Sequence, residues 1–286
     1  MSRNNEDRTG AHSIHSETPP QIVNQATQNQ DNLSFVVPTE FVELPSQGLF
    51  YSENHPLHKQ DCVEIKFMTA KEEDILSDKA LLKKGLAIDR FLRSVIVNRD
   101  IDVDSLLVGD KNAILVASRV NGYGAEYDTK VICPLCFSHG RHEFNLDECQ
   151  TNTIDQAVEL GVEKTPSGTL LFNLPKTGAK VECKLITGKE EKALAVSNER
   201  RKKNKLPAEE LTTLLRTIIV SVNGNDDRGY IGSFVENVPA ADSRQLRTTY
   251  QKCIPNVELK EEYVCGECEA STTIDVPFTT DFFWPH

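Results

Sequence analysis

The chain contains itself twice. "VEIKFMTAKEE" at 63–73 returns as "VECKLITGKEE" at 181–191, with seven of eleven positions identical and in the same order. A Leu-Pro-x-x-Gly stretch precedes each copy, "LPSQG" at 44–48 and "LPKTG" at 174–178. An apolar segment with a central arginine follows, "FLRSVIVN" at 91–98 and "LLRTIIVS" at 214–221. Each copy then reaches an aspartate, Asp110 or Asp242, and 23 residues later a Cys-x-x-Cys pair, Cys133–Cys136 or Cys265–Cys268. A repeat of this kind restricts the fold to units that recur. Two copies are too few for a solenoid, so two related lobes packed together are expected.

The local pattern makes each lobe α+β. Val63, Ile65 and Phe67 alternate on one side of a half-buried strand, and Val181, Cys183 and Leu185 do the same in the second copy. Thr69 or Thr187 ends the strand with Glu72 or Glu190 three residues on, a capping box that starts a helix. That helix is expected over "AKEEDILSDKALL" or "GKEEKALAVSNERRKK". A second helix follows with Ile88, Phe91, Leu92 and Val95 at helical spacing, and in copy one a third closes on Gly122 and Gly124. A β-hairpin carrying the cysteine pair at its tip, a knuckle, ends each lobe.

The hydrophobic share of 38% is low for a fully globular chain of 286 residues, which points to a polar segment. Residues 1–34 supply it: rich in Asn, Gln, Ser and Thr, without an aromatic residue, they bury too little to offset chain entropy and read as a disordered tail. The expected division is therefore 1–34 polar tail, 35–150 first lobe, 151–169 linker, 170–278 second lobe and 279–286 aromatic C-terminal tail. The first residues have no apolar signal-peptide core, and no run approaches a membrane span. The reading is of a protein made in the cytosol, with its eight cysteines reduced and available to a metal.

A Cys-x-x-Cys turn supplies half of a tetrahedral zinc site. A local completion would add His139, His142 or Cys149 to Cys133 and Cys136, yet copy two has no histidine after Cys268 until His286. A non-local completion joins Cys133, Cys136, Cys265 and Cys268 into one structural Zn2+ site, because a duplication brings equivalent hairpins together. The bland alternative leaves all four as buried thiols. Cys62, Cys149, Cys183 and Cys253 read as ordinary small packing residues.

Catalytic signatures are missing from the sequence: it has no phosphate loop, no Gly-x-Ser-x-Gly elbow and no His-Glu-x-x-His. The net charge of −11 opposes a dominant nucleic-acid role. "RRKKNK" at 200–205 is a local exception, either a solvated helix face or a dock for an acidic partner. Phe282, Phe283 and Trp284 near the C-terminus either pack into the protein's own core or anchor a partner.

The order of "LPSQGLFY", "FMTAKEEDIL", "SLLVGDKNAILVASRVNGYG", "VICPLC", the second Leu-Pro-x-x-Gly and the terminal "DVPFTTDFFWPH" resembles the baseplate hub and hub-assembly proteins of T-even-type contractile-tailed bacteriophages. The resemblance spans roughly residues 40–286. It implies a non-enzymatic protein that helps build the central hub of the tail baseplate, around which tube and sheath assemble. Hub or tape-measure proteins would be its partners, in the host cytoplasm during assembly or in the finished virion tail. Its motifs do not separate a hub component from a chaperone-like assembly factor, and set no homo-oligomeric state. A zinc-ribbon nucleic-acid-binding factor is the alternative that paired knuckles suggest. A carboxylate or zinc hydrolase is a further one.

Overall fold

The computed structural model describes residues 37–277 and 280–283; the expected polar tail at 1–34 and Trp284 lie outside the described residues. In the first lobe β1 (Thr39–Glu43) pairs antiparallel with β2 (Cys62–Lys66), placing Val42 opposite Val63 and Phe41 opposite Glu64. Val42, Val63 and Ile65 turn to the core, as the alternation predicts. The Thr69–Glu72 capping box then starts α1 (Ala70–Ser77).

The helix expected to continue through Leu82 instead breaks at Asp78. Its backbone is extended, and its carboxylate accepts from the amides of Ala80 (2.7 Å) and Leu81 (3.2 Å), starting α2 (Lys79–Lys83). An aspartate that can cap the amides just after it competes with continuing the first helix. Helix α3 (Ala87–Val95) buries Phe91, Leu92 and Val95, and the chain then bridges back to β2 at Ile65–Ile96. Helix α4 (Val108–Tyr123) stops at Gly124, whose φ of 85° lies outside the helical region. The hairpin β3 (Glu126–Ile132) and β4 (His139–Asn145) follows.

The stretch 151–169, expected as a linker, carries structure. It holds most of β5 (Gln150–Asn152), then α5 (Asp155–Glu159) and β6 (Glu163–Lys164). The second lobe runs β7 (Leu170–Asn173), β8 (Lys180–Cys183), α6 (Gly188–Lys203), α7 (Glu210–Ile218), β9 (Ile219–Val222), α8 (Arg228–Asn237) and α9 (Ala240–Cys253). It ends with β10 (Asn256–Glu258) and the hairpin β11 (Lys260–Val264) and β12 (Ser271–Asp275). Here the sheet has four antiparallel strands in the order β6-β7-β8-β9.

Local detail recurs between the lobes. Both capping boxes form, and each capping glutamate also takes a lysine from upstream, Lys66 at the end of β2 to Glu72 and Lys184 just after β8 to Glu190. Gly48 and Gly178, the last residues of the two Leu-Pro-x-x-Gly turns, both adopt φ of 67°, a backbone that glycine tolerates without strain. A buried aspartate from the following long helix holds each turn. Asp110 accepts from the Ser46 amide (3.0 Å), the Ser46 hydroxyl (2.6 Å) and the Tyr51 hydroxyl (2.7 Å). Asp242 accepts from the amides of Lys176 (2.9 Å) and Thr177 (2.8 Å) and from the Thr177 hydroxyl (2.8 Å).

The lobes interlock rather than merely touch. From Val37 onward the chain forms one compact unit, with the core residues of both lobes in a single hydrophobic cluster. Strand β5, following the first hairpin, pairs with β10, which precedes the second. Val108 and Gly188 donate their amides to Ile186 (3.0 Å) and Leu106 (2.8 Å), and Lys111 pairs with Glu191 at 2.6 Å. Gly109 lies against Pro255, where an added Cβ would come within 2.0 Å of the carbonyl oxygen.

Candidate metal centre

Each hairpin tip is a tight turn set by backbone hydrogen bonds. In the first, the Phe137 amide donates to the Cys133 carbonyl (2.9 Å) and the Cys133 amide to the Ser138 carbonyl (2.9 Å). In the second, Glu269 donates to Cys265 (2.9 Å) and Cys265 to Ala270 (3.1 Å), the same pattern residue for residue. The residue after each second cysteine takes positive φ, 61° at Phe137 and 55° at Glu269. This left-handed step closes the turn directly after each pair, at some backbone cost for a residue with a Cβ.

The two tips face each other. The Sγ atoms of Cys133, Cys136, Cys265 and Cys268 all lie within 4.8 Å of one another. Across the hairpins, Cys136 and Cys265 are 3.6 Å apart and Cys133 and Cys268 3.9 Å apart. Four thiolates around a tetrahedral zinc, with Zn–S near 2.3 Å, stand about 3.8 Å apart, so these separations fit that group. Four protein ligands leave no position for a reactive water. The arrangement is compatible with a closed metal site.

The thiols are not equivalent. Hydrogen bonding from the Ser138 hydroxyl, 3.2 Å away, and from the Cys268 and Glu267 amides holds the Cys265 thiol down to about 5. Ser138 lowers Cys136 as well, at 3.0 Å. At Cys268 the Ala270 amide also lowers the pKa, but the neighbouring sulfurs of Cys136 and Cys265 win and push it up to about 12. Bare, the cluster thus resists becoming four thiolates; a divalent cation at its centre would remove that conflict.

The histidines of the local alternative are placed elsewhere. His142 on β4 points its Nε2 toward Glu261 of β11, at 3.3 Å, with its ring edge-on to Phe144 and Tyr263. Among the described residues the metal-competent cluster comprises the four cysteines alone, without His139, His142 or Cys149. Glu261 instead ties the hairpins together, accepting also from the Asn145 amide at 2.7 Å. Tyr263 packs over Gly140, where an added Cβ would lie 2.3 Å from its hydroxyl. Sequence reasoning missed Ser138, Glu261 and Tyr263. Nothing in their spacing marks them, since they matter only once the hairpins meet.

Phe282 and Phe283 are buried, which removes them from any exposed partner-binding surface. Phe282 meets Tyr127 of β3 edge-on at 5.3 Å, and Phe283 tilts against Phe91 of α3 at 5.2 Å. The two C-terminal phenylalanines thereby pack into the core of the first lobe. "RRKKNK" occupies the end of α6, where cations favour the helix dipole; Arg201 pairs with Glu209 (2.6 Å) and Lys203 with Glu199 (3.1 Å). Cys183 and Cys253 are core residues, as expected.

A family model described as T4 bacteriophage base plate protein matches residues 43–284, which takes in both lobes, both knuckles and the two buried phenylalanines. The chain belongs to this family. No curated protein and no solved structure matched it. The family places the protein in the phage tail baseplate, with protein neighbours there. Among the described residues no helix is long and apolar enough to cross a membrane.

Proposed function

We propose that the protein acts in building the baseplate hub, as a hub component or a chaperone-like assembly factor, through protein–protein contacts and without catalysis. Its two lobes derive from an internal duplication, and a structural Zn2+ held by Cys133, Cys136, Cys265 and Cys268 staples them. The observation that carries this reading is the meeting of four sulfurs within 4.8 Å, two from each repeat, in a chain of the baseplate family. A metal there couples binding to the docking of hairpins far apart in sequence, with Cys136 and Cys265 129 residues apart. The recurring capping boxes, aspartate-held turns and knuckle hydrogen bonds support the duplication. Hub or tape-measure proteins are the partners proposed.

Elemental analysis tests the staple. Purified protein should carry one zinc, lost in Cys133→Ser and Cys265→Ser alike and retained in His139→Ala and His142→Ala. Retention of metal in Cys265→Ser would restore the local site. Pull-down from infected cells should recover hub or tape-measure proteins, whereas retardation of DNA at physiological salt would favour a nucleic-acid factor.

A further inference from the structure

The two lobes differ at one sheet edge. In the second lobe β6 covers the outer edge of β7, with Glu163 opposite Leu171. The strand in the same place in the first lobe, directly before its Leu-Pro-x-x-Gly turn, is β1, and the first sheet contains only β1 and β2. Aligning the turns puts Phe41 where Leu171 stands. The Leu44 amide donates to Asp61 (2.7 Å) and the Phe67 amide to Pro38 (2.9 Å), so the even-numbered residues of β1 bond inward to β2. Thr39, Phe41 and Glu43 therefore turn their backbone groups outward. These outward amides and carbonyls find no strand among the described residues.

An open groove of about 780 Å³ reaches this edge at Phe41 and Glu43, and Lys59, Asp61, Thr151 and Thr153 are also in its lining. Phe41 is 69% exposed, which leaves its ring free to take an apolar contact from a neighbouring strand. The groove carries two carboxylates, Glu43 and Asp61, against the single ammonium of Lys59.

We infer that the β1 edge accepts an antiparallel β-strand donated by a partner protein, in the position β6 fills on β7. The incoming strand sets an apolar side chain against Phe41 and a lysine or arginine beside Glu43 and Asp61. Backbone pairing supplies affinity, and the alternate side chains supply selectivity. The inference rests on the reading of the protein as an assembly module, but baseplate membership stands without it.

The test uses the full chain and two eight-residue peptides with threonine at every second position. The residues between alternate valine with lysine in one and valine with glutamate in the other, because Phe41 and Glu43 share one face of β1. Hydrogen exchange should show the Phe41 and Glu43 amides open in the free protein. The lysine peptide should slow their exchange at least tenfold, and the glutamate peptide should leave it unchanged. Phe41→Pro removes an outward amide that β2 does not use, so it should keep the melting temperature and abolish peptide binding. Glu43→Lys should reverse the preference between the peptides. Amides already protected in the free chain would overturn the proposal, because the edge would be filled. So would protection by neither peptide, or equal binding by a folded Phe41→Pro variant. Hub proteins recovered with Phe41→Pro as with the parent would reject the edge while leaving the baseplate reading intact.

Discussion

Asp110 and Asp242 occupy the same place in the two lobes and do the same work, yet their protonation is pushed in opposite directions. Burial raises Asp110, and hydrogen bonds from Ser46 and Tyr51 only partly offset it. At Asp242 burial also pushes upward, but Thr177, the Lys176 and Thr177 amides and the Lys176 charge outweigh it and hold the carboxyl low. The repeated geometry is a turn pinned by a carboxylate. Its donors are mainly hydroxyls in the first lobe and mainly backbone amides in the second. The same pinned turn thus stands in two different electrostatic settings, one beside a two-stranded sheet and one beside a four-stranded sheet.

The largest expected effect asks whether the lobes share one staple. Cys133→Ser and Cys265→Ser should each lower the melting temperature by about 10 °C or more, because either loss opens the whole site. Chelator should do the same to the parent protein and little to either variant. A large loss from one lobe only would mean that the knuckles are not coupled.

Next come the aspartates. An asparagine at 110 can keep its oxygen on the Ser46 amide and turn its NH2 toward the Ser46 and Tyr51 hydroxyls, which can rotate to accept. At 242 both carboxylate oxygens take backbone N–H groups, so an asparagine NH2 must face a donor that cannot reverse. Asp242→Asn should therefore cost several degrees in melting temperature, and Asp110→Asn clearly less. Equal losses in thermal unfolding would show that burial, not donor chemistry, sets the cost.

Acid should separate the same pair. The low folded-state pKa of Asp242 gives stability that is present above its unfolded value, near 4, and is lost as pH falls toward the folded one. Asp110 works the other way: its raised folded-state pKa favours the fold below the unfolded value, and that contribution disappears as pH rises through the folded one. Glu72, which burial pushes up but Lys66, Ser94 and Thr69 hold at about 2, adds to the acid loss. Urea unfolding between about pH 3 and 6 should give a shallower acid decline for Asp242→Asn than for the parent, and a steeper one for Asp110→Asn. Parallel curves would remove the electrostatic difference between the lobes.

Much of this was legible in the residues. Both capped helices begin at Thr69 and Thr187 as read, since a capping box is a local signal. The gathering of Cys133, Cys136, Cys265 and Cys268 followed from matched spacing in two copies. What stayed hidden depends on contacts between distant segments. Strand β5 is three residues of Gln-Thr-Asn with no alternation to betray it, and it forms because β10 lies alongside. Asp78 ended a helix early through a cap inside an otherwise helical run. Phe282 and Phe283 could have faced either way, and only the position of Tyr127 and Phe91 puts them inside.

The smallest effect probes the knuckle turns one at a time. Phe137 and Glu269 hold φ near 60° in matching turns, a conformation that costs a residue with a Cβ roughly 1–2 kcal/mol. Glycine removes that cost but gives back about 0.5–1 kcal/mol through the freer unfolded chain. Phe137 is 74% exposed, so its ring contributes little packing to lose. Phe137→Gly and Glu269→Gly should each stabilise the protein by up to about 1 kcal/mol, with metal content unchanged. Chemical denaturation of the zinc-loaded protein measures both. Equal gains would make the turns interchangeable parts of one repeated device. A gain at Glu269 with a loss at Phe137 would mean that the exposed ring holds the first knuckle in a way the second knuckle has no counterpart for, and the symmetry would stop at the backbone.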